Sequence, residues 1–474
     1  MRLSIKEIVG VLFLLLSFAS LAGQRCQTED KTRVCTNSEN QIVSVDKLGE
    51  EGRVIKRMLF MPQTKQLMRT IYPRYAERSL HSPDWPEAFR VEDAQGRVIR
   101  SFDNLNFENC QGARPRKHKL LVAEVFGIDL THAALKNKIA AASIDDFVQT
   151  GTCHGFFISA QDELLAHAVG KDFHDGDFLD IDHGTMVSTV ALEGIEDATL
   201  YPASGNLQSS TFYEHMSDVI QRNEVGLVNM SFSFTKIRSP NLNWRSNFGE
   251  AKLALTQLII ENPQALFVAA SGNGQFGGFN YDAVNLTRSI HFPSGIGAEN
   301  LFSVGAINSS EIEISKLSEY RMAKFSNYSI RHVDILAPGV GVETGRVGGG
   351  HAPASGTSFA SPYIINQVMK LSSLAPHLNY IKIKELMMKT VYIPNIQKAV
   401  RYGMNWRESY TKEDLEKGEW FPVRSGGIYH PERAEKVAKT LAEDPSMSID
   451  QVVEAELSAE EFLWRSRMWD RRGI

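Results

Sequence analysis

From about Lys119 onward, short apolar runs alternate with longer stretches whose apolar residues recur at helical spacing. The runs are KLLVAEVF, TLYPASG (199–205), GLVNMSFSF (226–234), ALFVAASG (265–272), LFSVGAIN (301–308) and VDILAPG (333–339). Between them lie stretches such as EAKLALTQLIIEN (250–262). Near-continuous apolar runs separated by helices predict strands of a mostly parallel sheet buried on both faces, an α/β fold with helices on either side. In such sheets ligands gather beyond the carboxyl ends of the strands. The last residues, LSAEEFLWRSRMWDRRGI, put Leu457, Phe462, Leu463 and Trp469 on one expected helical face that packs back on the domain.

Other parts of the chain follow different patterns. Arg2 and Lys6 precede the apolar stretch 8–18, and the small residues SLAG (20–23) follow. That is the layout of a secretory signal peptide, too short for a membrane helix of about 20 apolar residues. The expected divisions are a signal peptide at 1–23, an N-terminal propeptide-like or accessory segment at 24–116, a main domain at 117–440 and a C-terminal helical tail at 441–474. The mature chain is read as secreted or periplasmic, monomeric and without a membrane span. It carries 43% hydrophobic and 23% charged residues with a formal net charge of -5. Without a long Lys/Arg tract, nucleic acid is not an expected partner. An even count of four cysteines in an exported chain favours disulfides, and proximity pairs Cys26 with Cys35 and Cys110 with Cys153. No Cys/His spacing matches a zinc site.

Three stretches carry chemistry. In DIDHGTMVSTVALEG, His183 and Gly184 open a buried helix after an Asp-rich loop. In HAPASGTSFASPYIINQVMK, Ser358 follows Gly356-Thr357 at the start of a helix whose apolar positions are 359, 364, 365, 368 and 369. Free N–H groups and the helix dipole there favour developing negative charge. In VAASGNGQFGG, Asn273 is flanked by glycines at a strand's carboxyl end. Each alone has an ordinary structural reading: a solvated histidine, an N-cap serine, a turn asparagine.

HGT, SGN and GTSFASP, in that order and in those strand–loop–helix settings, resemble the subtilisin-like serine protease (subtilase) family. The likeness continues through VNMSFSF, FPSGIGAENLFSVGAIN, FSNYSIRHVDILAPGV and SGGIYHPERAEKVAK, over roughly 119–440. It implies the three-layer subtilisin-like fold and an endopeptidase working through a serine acyl-enzyme. Ser358 matches the nucleophile, His183 the general base and Asn273 the side-chain donor of the oxyanion hole. Ser231, Phe232 and Ser233 match the cleft segment along which a peptide or protein substrate pairs. No cofactor is implied; family members often bind calcium, but no ligand set is identifiable here.

The resemblance breaks at the carboxylate that orients the histidine. The family strand ends in D-T-G-[IV]-D; aligning Gly127-Ile128-Asp129 puts Val125 at the first Asp and Phe126 at the Thr. Asp129 matches the second, non-catalytic Asp. Glu124 sits one residue early, and alternation along a strand sends neighbours 124 and 125 to opposite faces. A bulge, with the extra methylene of Glu, would turn it back. Asp180 and Asp182 are the other stand-ins. Met186 also replaces a usual His, and Ser233 a usual Gly. Two readings follow: an exported serine endopeptidase, slow or narrow in specificity, or an impaired pseudoprotease that binds peptides or a protein partner.

Overall fold

The structure, a computed structural model, describes residues 25–36, 42–48, 54–60, 67–75, 86–93, 98–102, 117–124, 128, 132–135, 137–139, 179–204, 207, 210–235, 245–274, 283–286, 291–346, 349–403 and 417–474. The expected signal peptide, Cys110, Cys153, Val125, Phe126, Gly127 and Asp129 lie outside them.

The chain divides into two units. The first holds seven strands: β1 (Arg25–Glu29), β2 (Thr32–Thr36), β3 (Ile42–Leu48), β4 (Val54–Phe60), β5 (Leu67–Tyr75), β6 (Pro86–Asp93) and β7 (Val98–Phe102). Each pairs antiparallel with the next, so spatial and sequence order coincide. In the β1–β2 pair, Cys26 stands directly opposite Cys35.

The second unit is built on six parallel strands in the order β15-β14-β12-β10-β8-β9. These are β8 (His118–Glu124), β9 (Ala198–Ser204), β10 (Leu227–Met230), β12 (Leu266–Ala270), β14 (Leu301–Ile307) and β15 (Ile335–Pro338). Two small antiparallel pairs lie outside it: β11 (Phe234–Thr235) with β13 (His291–Phe292), and β16 (Val342–Gly345) with β17 (His351–Ala354). The apolar runs of the sequence thus fall on strands, as parallel strands buried on both faces require. GLVNMSFSF is the exception: only Leu227–Met230 belongs to the main sheet, and Ser231–Ser233 leave it as irregular backbone.

Helices cover both faces. Alternate residues of β8 separate the two cores: Leu120 and Val122 pack in one, Leu121 and Ala123 in the other. The first core includes Met186, Val187 and Val190 of α1 (Leu179–Leu192). The second includes Phe212, Met216 and Ile220 of α2 (Ser210–Asn223) and Leu255 and Ile259 of α3 (Arg245–Glu261). On the first face lies α4 (Thr357–Leu374), whose Phe359, Ile364, Ile365, Val368 and Met369 are all buried, as their spacing predicts.

Beyond α5 (Tyr380–Lys389) and α6 (Ile396–Gly403), the C-terminal region forms α7 (Pro431–Glu443), α8 (Ile449–Glu456) and α9 (Ala459–Arg472). The tail face expected from sequence is corrected. Leu457 lies in the break before α9, capped by Ser458, and Leu463 is 50% exposed. The buried stripe is Arg465, Met468 and Trp469. Leu463 follows Phe462 by one residue, about 100° round the helix, and so points away from Trp469. Arg465 is held by Glu461 at 2.6 Å and donates to the carbonyl of Val391 at 2.8 Å.

Candidate active site

Five elements bring the expected residues to the carboxyl ends of the parallel strands. Glu124 is the last residue of β8, Ser231 follows β10, Asn273 follows β12, and Ser358 is the second residue of α4. His183 lies near the start of α1.

Glu124 Oε2 lies 2.8 Å from Nδ1 of His183. The carboxylate is buried, 1% exposed, while the imidazole is half-buried at its edge of the cleft. Its other oxygen, Oε1, has no partner among the described residues, so the group's hydrogen bonding there is directed at His183. Alternation along β8 places Glu124 toward His183, not away from it. Leu120 and Val122 face the core that contains α1, so Glu124, two residues on, faces α1 as well. No bulge is involved, for β8 and β9 stay in register from His118↔Ala198 to Glu124↔Ser204. Asp180 and Asp182 lie on α1, but the described partner of Nδ1 is Glu124.

Asn273 is held by Thr357, the residue before Ser358. Its Oδ1 accepts from the backbone N–H of Thr357 at 2.9 Å and from the Thr357 hydroxyl at 2.8 Å. Two donors on Oδ1 fix the amide orientation, so Nδ2 is the donor turned to the exposed side. Gly356 keeps this approach open: a Cβ there would meet Nδ2 at 3.2 Å. The turn is buttressed by Asn327, whose Oδ1 accepts from Gly274 N–H at 3.1 Å and whose Nδ2 donates to Ser271 O at 3.1 Å. Gly272, at φ +95°, leaves no room for a side chain, with Asn327 Nδ2 2.6 Å from where a Cβ would sit.

Phe359, the residue after Ser358, lies with its ring 5.8 Å from the His183 imidazole, centroid to centroid. The Ser358 hydroxyl donates to the carbonyl of Ser231 at 3.1 Å. Pro362 is the sixth residue of the helix. Lacking an N–H, it leaves the carbonyl of Ser358, four residues earlier, without its helical donor. The Ser231 hydroxyl fills that place at 2.8 Å. Of the expected cleft segment, Ser231 is buried, Phe232 packs its ring in the α2–α3 core and Ser233 is half-buried. The ring of Phe232 is therefore turned into the core.

The sequence did not single out Thr357, Asn327 or the hydroxyl of Ser231 for these tasks. Thr357 lies inside GTSFASP and Asn327 inside FSNYSI, but their roles depend on partners 53 to 127 residues away. Among the described residues, no group of three or more His, Cys, Asp or Glu is arranged to hold a metal ion. No helix among them is long and apolar enough to cross a membrane.

A serine at a helix start, an imidazole backed by a carboxylate and a fixed amide lie at one end of a parallel sheet, the residue types that serine hydrolases use. The family model described as Peptidase_S8, the subtilase family, matches residues 127–418, more than half of the chain, and the chain belongs to that family. A thermophilic serine proteinase of Bacillus sp. (strain AK1) is 26% identical over 228 residues, 47% of this chain and 50% of that protein. The subtilisin-like proteinase Mp1 of Magnaporthiopsis poae is 36% identical over 112 residues, 23% of this chain and 22% of that protein. The chain thus spans about half or less of the length of these curated relatives. A solved cold-adapted subtilisin-like serine proteinase is similar at 17% identity, with a TM-score of 0.37, over 61% of this chain and 93% of that one. The family match begins at 127, after Glu124, so the carboxylate beside His183 lies outside the matched region.

Proposed function

We propose that the chain is an exported serine endopeptidase whose catalytic groups are Ser358, His183, Glu124 and Asn273. The 2.8 Å hydrogen bond between Glu124 and His183 carries the reading, because it restores the one group the family pattern lacks. In acylation, Ser358 Oγ forms a bond to the peptide carbonyl carbon and its proton passes to Nε2 of His183. Glu124 holds Nδ1–H and stabilises the imidazolium. The oxyanion takes hydrogen bonds from Asn273 Nδ2 and from the N–H of Ser358 in the first helical turn. The C–N bond then breaks, the proton on His183 goes to the leaving amine, and water repeats the sequence to release the acid. No step calls for a metal.

Ser231–Ser233 supply the backbone edge along which an extended peptide pairs. The unit of seven antiparallel strands is assigned to the N-terminal extension, and the mass of the exported protein tells whether it is removed near Lys117 or retained. Cys26 opposite Cys35 in register supports a cross-strand disulfide there.

The test is labelling of the folded mature protein with a serine-reactive fluorophosphonate. Labelling that maps to Ser358 and vanishes in Ser358→Ala is the expected result. Absence of labelling across pH would leave a peptide-binding pseudoprotease instead.

A further inference from the structure

A serine hydroxyl has one proton to give, and in this structure Ser358 gives it to the carbonyl of Ser231 at 3.1 Å. While it is given there it is not given to an imidazole. The acceptor belongs to the segment that pairs with the substrate backbone in the reading proposed above, on which this inference rests. The relationship is reciprocal. The Ser231 hydroxyl donates to the carbonyl of Ser358 that Pro362 leaves unfilled, and it is fixed by Asn229 Nδ2 at 2.9 Å and Ser361 Oγ at 2.9 Å. One residue thus grips the nucleophile's backbone with its side chain and the nucleophile's proton with its main chain.

We infer that Ser231 is a positioning residue that keeps the proton of Ser358 away from His183 until the backbone N–H of a paired peptide claims the Ser231 carbonyl. A carbonyl oxygen has two lone pairs, but a second donor weakens its hold on the first. An imidazole whose other nitrogen donates to a carboxylate is the more basic acceptor, and the hydroxyl then turns to it. The substrate class that follows is an extended peptide offering an N–H at this position. Compact electrophiles without that N–H meet a nucleophile still engaged.

Three phosphonylating probes test this on the wild-type protein. Two are peptidyl aryl phosphonates of one sequence, with either N–H or N-methyl at the residue bearing phosphorus; the third is a fluorophosphonate without peptide. In each, a bond forms from Ser358 Oγ to phosphorus, phenoxide or fluoride leaves, and the serine proton passes to His183. Binding (KI) and the saturated rate (kinact) are measured separately. The N–H peptide is expected to show a kinact about tenfold above its N-methyl twin, the loss of one hydroxyl hydrogen bond, over and above any difference in KI. Equal kinact values with only KI changed would overturn the gate while leaving the protease reading standing. No reaction at Ser358 with any probe would overturn both. In Ser231→Ala the carbonyl remains but the grip on Ser358 is lost, so kinact falls, KI holds and Ser231→Thr recovers the rate. An unchanged kinact in Ser231→Ala removes the positioning role.

Discussion

Glu124 reaches His183 from the strand position before the one at which a subtilase keeps its aspartate, and it does so without any irregularity in β8. A side chain one methylene shorter at 124 would draw its carboxylate back from Nδ1 of His183. Glu124→Asp is therefore expected to behave as a loss rather than a restoration of the family residue. Its carboxylate falls short of Nδ1, and kcat drops by on the order of 10³ or more, approaching the roughly 3 × 10⁴ seen when the orienting aspartate is removed from subtilisin. Steady-state kinetics on a peptide substrate would check it. Wild-type turnover in Glu124→Asp would mean that side-chain length at 124 is immaterial.

Asn273 is pinned through Oδ1, and in the proposed mechanism its Nδ2 serves the oxyanion. Asn273→Ala should lower kcat about 10²–10³-fold while KM stays within a few-fold, since the donor acts on the transition state. A rise in KM at unchanged kcat would assign the amide to ground-state binding instead.

Much of this site was legible from three short motifs, because each builds its own local geometry. Ser358 begins a helix whose buried positions follow from spacing, and Asn273 sits between glycines that only a tight turn requires. Glu124 was legible only as one alternative. Alternation says that residues 124 and 125 differ in face; it does not say which face meets α1. That depends on Leu120 and Val122 packing with Met186 and Val187, a relationship between segments some 60 residues apart. Leu463 illustrates the same limit, since it sits about 100° round the helix from Phe462 and is exposed where Arg465 and Trp469 are buried.

Acid should destabilise the fold. Burial holds His118, His291 and His430 neutral, each with its pKa lowered to about 4. His118 lies between Tyr380 Oη at 3.0 Å and Ser373 Oγ at 2.9 Å, and His430 Nδ1 accepts from Arg433 N–H as a helix cap. The unfolded chain binds protons at these sites from about pH 6.5 downward, the folded chain only near pH 4. Stability is thus full above about pH 6.5 and declines as pH falls through that window. Urea midpoints should be lower at pH 4.5 than at pH 7, and less so in His118→Gln. A midpoint independent of pH would contradict this.

At the amino ends of β14 and β15, Asp334 neutralises two cations. Its Oδ1 accepts from Arg424 at 3.1 Å, its Oδ2 from the N–H of Ser303 at 2.8 Å, and Lys384 Nζ lies 3.8 Å away. Lys384 otherwise donates to the carbonyls of Glu299 and Leu301, and burial pushes its amine downward. Asp334→Ala strands both charges and should cost about 3–5 kcal/mol in urea unfolding, with activity per folded molecule unchanged. A loss under about 1 kcal/mol would place these charges effectively in water.

The most direct test of the account is the rate at which Ser358 is phosphonylated in folded wild-type protein and in folded Glu124→Gln, followed by mass spectrometry of the modified peptide. Glutamine keeps the size but not the charge beside His183. The account predicts modification of Ser358 in the wild type and a rate lower by two orders of magnitude or more in the variant. Equal rates in the two proteins would contradict it.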